Sequence, residues 1–426
     1  MLLPPATAAE PPAFDQNRDR AWITIVLVAV VAATHIWKLP SALTIIDAEL
    51  QLGLVRSGVL LGIIQVASMA GGLLVAWFGE MLGLRRLLMT GLTLLAIGSL
   101  FGALAPGVVV LMVSRALEGI GFLLCTVLAP PLIRRCCSPE RMNIAMAGWG
   151  AFQGTAALIG FAGSALLLQV IDWRVLWLGV AILSLGMLLP LKRLVPADQA
   201  AAGDGSATAS GRRIWITVRS VAPWIAGLAF ACYSIQWMAV MGFLPTIYQG
   251  AGMDPLRAGL LSALVGGVNV IGALYAGVLI ERGRRPRTLL VVCFTVMAFA
   301  SIGLFGIRWT SDSGTAARLG FALVFSSVGG MGPTVLSRVA VDLAPPGGSV
   351  AAVIGLMQQI FNVGNFFGPF LIAWIAMQAG GWHASWLMMC AFSVLGIVFT
   401  WILTNHRAPR EPIRTASTSH ASEELD

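Results

Sequence analysis

Residues 109–133 read VVLMVSRALEGIGFLLCTVLAPPLI. A helix of that length crosses the roughly 30 Å hydrocarbon core of a bilayer. Two charges, Arg115 and Glu118, sit inside the run. Charge at membrane depth is costly and marks a pairing or a function. Working outward, eleven more apolar runs of similar length occupy 22–43, 55–79, 87–105, 143–168, 174–191, 221–248, 256–280, 287–307, 317–341, 349–377 and 382–404. Mean hydropathy is +0.85, and charged residues make up 11% of the chain. A soluble domain carries about 25%, so a water-soluble fold is excluded. Backbone groups in lipid must be satisfied within the segment, so the runs are helices. The expected fold is an all-α membrane protein with twelve transmembrane helices.

The loops carry the orientation. With the N-terminus placed in the cytosol, Arg56, Arg174, Arg257, Arg308 and Arg318 fall outside, and Lys38, Arg115 and Arg338 lie within spans. All other Lys and Arg, 19 of 27, fall inside. The positive-inside rule therefore predicts both termini cytoplasmic, in a multi-pass protein of the cytoplasmic (inner) membrane. The net charge of +8 belongs to this pattern and is no nucleic-acid signal. The first apolar run spans and is followed by more spans, so no cleavable signal is expected. The six cysteines have neither metal-ligand spacing nor a disulfide framework and read as free thiols. No metal or cofactor is expected.

The chain divides six spans from six. Residues 21–193 form an N-terminal bundle and 221–404 a C-terminal one. Between them, 194–220 contains an Ala/Gly/Ser run and reads as a flexible cytoplasmic linker. Tails 1–20 and 405–426 read as disordered. The halves repeat: Arg56, Gly58, Leu60 and Glu80 match Arg257, Gly259, Leu261 and Glu281 at one offset of 201. Pro139 and Gly148 match Pro346 and Gly355 at 207, and Trp173 and Trp177 match Trp382 and Trp386 at 209. A duplicated six-helix unit of this kind is a transporter signature, with the site between the halves near mid-depth.

The loop after the second span carries Glu80, Gly83, Arg85 and Arg86; its repeat carries Glu281, Arg282, Gly283, Arg284 and Arg285. Glycine permits a tight turn there, and an acid can face a helix N-terminus. With Arg115-Ala116-Leu117-Glu118-Gly119 in the fourth span and the Pro139-Glu140-Arg141 turn, this resembles the major facilitator superfamily over about residues 20–405. Met81 and Leu84 stand where that family usually has basic residues. The resemblance implies two pseudo-symmetric bundles and gating roles for both loops. Residues 147–154 (AGWGAFQG), Gln236-Trp237 and Met357-Gln358-Gln359 are similar to the cyanate/nitroimidazole transporter-like subgroup. That subgroup often has a first-helix arginine beside proline; here Trp37, Lys38 and Pro40 occupy the region. The proline of the drug antiporters' fifth-helix motif is missing from Gly154–Gly160.

Polar residues within spans that lack a counterpart in the other half are the candidates for chemistry. Aligning Gly119 with Gly330 sets Ser326 opposite Arg115, which confines the mid-span charge at that position to the first half. His35 and Lys38 are three apart, as are Arg115 and Glu118, so each pair shares a helix face. A cavity lined by Lys38 and Arg115 is expected to take an anion. Glu118 and His35 are the candidates for proton coupling. Gln236, Trp237, Asn269, Gln358, Gln359 and Asn362 are the substrate-binding candidates of the second half.

These residues predict a monomeric secondary transporter that takes a small-molecule substrate, by alternating access and with proton coupling, from within the lipid bilayer. The favoured substrate is a small organic or inorganic anion. The alternative is a proton-driven exporter of a drug, metabolite or siderophore, signalled by an aromatic cavity (Trp37, Trp149, Phe152, Trp237) without open Lys38 or Arg115. No P-loop pattern is present, so ATP is not the direct driver. An enzyme is not expected, since no nucleophile–base pair has plausible spacing. A receptor is not expected either, since neither tail nor linker is long enough for a soluble module.

Overall fold

The computed structural model describes residues 21–198, 206–307 and 312–405. The expected tails lie outside the described residues. Among the described residues, twelve helices are long and apolar enough to span a bilayer, so this is a multi-pass membrane protein. Spans 1–6 are Ala21–Leu50, Gly53–Gly72 (continuing as helix to Leu82), Leu84–Ala103, Val108–Cys136, Ile144–Leu167 and Trp173–Leu194. Spans 7–12 are Val221–Gly250, Pro255–Glu281, Pro286–Gly306, Gly314–Val341, Val350–Ala379 and Trp382–Asn405. Each coincides with a run expected from the sequence. Large apolar side chains turned outward, among them Ile182, Phe299 and Trp401, suit a lipid surrounding. Cys125, Cys232, Cys293 and Cys390 are free thiols.

The loops sort into two faces. On one, Glu49 accepts hydrogen bonds from Trp173 Nε1 (2.7 Å) and Arg174 Nη1 (3.0 Å), and Arg174 also reaches Ala105 O. On the other, which carries the linker, Asp198 meets residues 85–86, and Thr217 Oγ1 accepts from the Ser349 amide at 2.9 Å. The stretch expected to be a flexible linker contains a helix, Ser206–Arg219.

The two halves meet from the face opposite the linker down to mid-depth. Thr44 Oγ1 of span 1 donates to Gln249 Oε1 of span 7 at 3.0 Å. The Trp37 and Trp237 rings lie edge to face, 6.5 Å apart. Gln359 Nε2 of span 11 donates to Ala70 O of span 2 at 3.0 Å. Spans 1 and 7, one from each half, are buried along nearly their whole length. They form the seam.

Candidate substrate and proton site

Span 1 carries no apolar stripe, because it is enclosed on all sides, and its two ionisable mid-span residues therefore meet neighbouring helices. His35 and Lys38 project into the N-terminal bundle toward Glu118 of span 4. Glu118 Oε1 accepts from Lys38 Nζ at 2.5 Å and lies 3.0 Å from His35 Nδ1. Glu118 Oε2 accepts from Arg115 Nη1 at 2.5 Å. Two residues that sequence reasoning missed complete the cluster. Ser99 of span 3 accepts from Lys38 Nζ at 2.7 Å, and Ser184 of span 6 lies 2.8 Å from His35 Nε2. Each serine also donates to a carbonyl, Ser99 to Trp177 O and Ser184 to Val180 O. The Lys38 ammonium stands 4.5 Å from the centre of the Trp177 ring, an attractive placement over an aromatic face.

The cluster is sealed. His35, Arg115 and Glu118 are 0% exposed and Lys38 1%. Lys38 and Arg115 were expected to line a cavity; in this conformation they face Glu118 within their own bundle and open on no vestibule. Gly98 of span 3 makes room for the carboxylate, since a Cβ there would come within 2.8 Å of Glu118 Cγ. The guanidinium is only half used. Arg115 Nη1 also donates to His35 O at 2.5 Å, while Nε and Nη2 are buried and find no hydrogen-bond partner among the described residues. A buried unspent donor costs free energy, and a charged one more. Two basic side chains thus face one carboxylate, with donor capacity left over for an acceptor.

The other half repeats the frame without the charge. Ser393 of span 12 donates to Gln236 Oε1 of span 7 at 3.0 Å. Those residues stand at the repeat offsets of 201 and 209 from His35 and Ser184. Ser326, opposite Arg115, donates to Val265 O instead. The fold packs this position without ions, so the ions of the first half are not a requirement of packing.

The remaining candidates scatter. Gln236 is fully buried inside its bundle and also donates to Cys232 O. Trp237 lies on the seam, stacked on Tyr233 at 6.4 Å. Asn269 is half-buried and donates to Ser326 O at 2.9 Å and to Tyr233 Oη at 3.4 Å. Gln359 bridges the halves as described, Gln358 is exposed, and Asn362 donates to Gln358 O and accepts from Asn365. In the gating loops, Gly83 adopts φ +95° and Gly283 φ +77°. The Arg85 and Arg86 amides both donate to Asp198, each at 3.0 Å. Glu281, Arg282, Arg284 and Arg285 are exposed, and the Glu80 side chain lies outside the described residues.

Known proteins share this architecture. The cyanate transport protein of Escherichia coli (strain K12) is 23% identical over 353 residues, covering 80% of this chain and 85% of its own. Monocarboxylate transporter 13 of Rattus norvegicus is 27% identical over 335 residues, covering 74% and 72%. The crystal structure of a D-xylose-proton symporter aligns with a TM-score of 0.73 at 17% identity, over 91% of this chain and 98% of that one. A bacterial homolog of the human lysosomal transporter Spinster aligns with a TM-score of 0.74 at 14% identity, over 93% and 98%. The family model described as Major Facilitator Superfamily matches residues 25–360 and 227–423. With its twelve spans in two related halves, the chain belongs to the Major Facilitator Superfamily.

Proposed function

We propose that this transporter is a proton-coupled importer of a small monovalent anion, with Glu118 as the coupling carboxylate. The observation that carries this reading is one buried carboxylate held by Lys38, Arg115 and His35, in a half whose twin has no such charge. The contact between His35 and Glu118 is the place where a proton would be taken up. With the Ser184 hydrogen on Val180 O, His35 Nε2 is the donor to Ser184. Lys38 Nζ, 3.4 Å from Nδ1 and 2.5 Å from Glu118 Oε1, is a donor for both, so the ring is satisfied as the neutral tautomer; a proton added between ring and carboxylate would turn their 3.0 Å contact into a hydrogen bond. Adding it leaves Lys38 and Arg115 without a counter-ion where water is excluded, which is unfavourable by several kcal/mol. An anionic solute supplies the missing charge and an acceptor for Arg115 Nε and Nη2. Proton and anion therefore each favour the other's entry, which is the logic of symport. Two relatives are named for small monoanions, cyanate and monocarboxylates, and the first supports the likeness to the cyanate/nitroimidazole transporter-like subgroup.

In this reading the protein works as a monomer in the inner membrane, with linker and termini cytoplasmic, by alternating access about the seam of spans 1 and 7. Trp237, Asn269, Gln358, Gln359 and Asn362 lie in the half that meets the solute from the other side. The test is uptake by proteoliposomes under an inward proton gradient, with a panel of cyanate, formate, acetate, lactate and benzoate. Uptake of at least one panel anion is expected, and its loss in Arg115→Ala. Uptake undiminished in that variant removes Arg115 from anion binding.

A second reading has its own observation. Lys38 and Arg115 are closed off, while Trp37 meets Trp237 across the seam and Trp149 stacks on Phe152 within span 5 at 4.4 Å. That combination favours a proton-driven exporter of a drug, metabolite or siderophore. Gradient-driven accumulation of a cationic aromatic dye in inverted vesicles, with no anion uptake in the panel, selects it.

A further inference from the structure

The helix Ser206–Arg219 plays no part in the reading above. It runs into span 7 with a single break at Ser220, so it lies at the boundary of the bilayer. One side is docked on protein. Thr217 is fully buried and receives the Ser349 amide at the start of span 11. Ile216 packs beside Gly347. Trp224 of span 7 donates its indole N–H to Val218 O at 2.8 Å. The other side has no protein partner among the described residues that explains its composition. Arg212, Trp215 and Arg219 recur at helical spacing and share one face. All three are exposed, Trp215 by 57%. The Arg219 guanidinium sits 4.6 Å from the centre of the Trp215 ring, and Arg213 is exposed beside them.

A tryptophan flanked by arginines is the composition of a surface at headgroup depth. The indole prefers the membrane interface, and arginine pairs with phosphate through a planar fork. We infer that the linker helix is a docking surface for the anionic phospholipid headgroups of the leaflet on its face. The positive charge of Arg212, Arg213 and Arg219 and the lack of any acid between 206 and 219 supply the complementarity. Because Thr217 joins this helix to the first turn of span 11, anionic lipid holds that turn as well as the helix.

The test is hydrogen–deuterium exchange on the full chain in nanodiscs. Two bilayers are compared, phosphatidylcholine alone and phosphatidylcholine with a quarter phosphatidylglycerol. Slower exchange across 206–219 is expected in the phosphatidylglycerol discs, and it is lost in the Arg212→Gln/Arg219→Gln variant. Each arginine near an anionic surface is worth about a fivefold change in association. Inorganic phosphate added to the phosphatidylcholine discs is expected to leave exchange unchanged; protection by phosphate alone would show an ion site and overturn the lipid assignment. Equal exchange in the two bilayers, or protection that survives in the variant, also overturns it. Unaltered exchange in spans 3 and 4 confirms that the variant is folded. The readout requires no transport, so it stands apart from the anion–proton reading.

Discussion

At the scale of single residues, the buried cluster makes strong demands. Lys38 serves Ser99 and Glu118 at 2.7 and 2.5 Å while lying over Trp177. A compact ammonium with three rotatable donors meets those directions; a planar guanidinium does not. Lys38→Arg is therefore expected to abolish uptake despite keeping the charge. Ser184→Ala removes the acceptor for His35 Nε2. It is expected to lower stability by about 1–2 kcal/mol and to shift the pH dependence of uptake, whereas a purely structural serine would move only the first. His35, Lys38, Arg115 and Glu118 were legible in the sequence because ionisable groups are rare at membrane depth. Ser99 and Ser184 were not, since a serine in a span commonly bonds its own helix and gives no outward sign. Nor was the direction of the cluster legible: span 1 is buried on every side, so no periodicity tells its seam face from its bundle face.

At the scale of elements, the turn before span 3 is held from outside. Asp198 accepts from two successive amides of the first turn, Arg85 and Arg86, and Arg85 Nη2 reaches Lys192 O at 2.6 Å. The carboxylate satisfies donors that a helix start leaves open and meets the positive end of the dipole. Asp198→Ala is expected to lower the Tm in detergent by about 1–3 °C, the usual range for a lost cap. Gly83→Val is expected to do more harm, because φ +95° disfavours a branched side chain and a Cβ there would collide with Asp198. Gly83 was legible as a turn residue. Asp198 was not, because its partners lie more than a hundred residues away and its surroundings read as a flexible linker. The helix at 206–219 was hidden for a related reason: its Ala/Ser/Gly start masks the short amphipathic run Arg212–Arg219, which gains its order by docking on span 11.

At the scale of the whole molecule, duplication was the most legible feature, since rising offsets between paired residues require two copies of one unit. What duplication leaves unsaid is how the copies meet in a given state. Here Thr44 and Gln249 join spans 1 and 7 near the face opposite the linker. Alternating access requires that contact to break in each cycle. A Thr44→Cys/Gln249→Cys variant is therefore expected to stop transport when oxidised and to recover on reduction; transport unaffected by the crosslink would mean the seam does not open there. The central claim concerns Glu118 and is tested most directly by Glu118→Gln, which keeps the shape and removes the ionisable group. In proteoliposomes enclosing a pH-sensitive dye, the wild type is expected to carry protons inward with the transported anion. The variant is expected to exchange anion across the membrane without moving protons and without accumulation. A variant that still concentrates the anion under a proton gradient, with the dye reporting proton entry as in the wild type, would contradict the account.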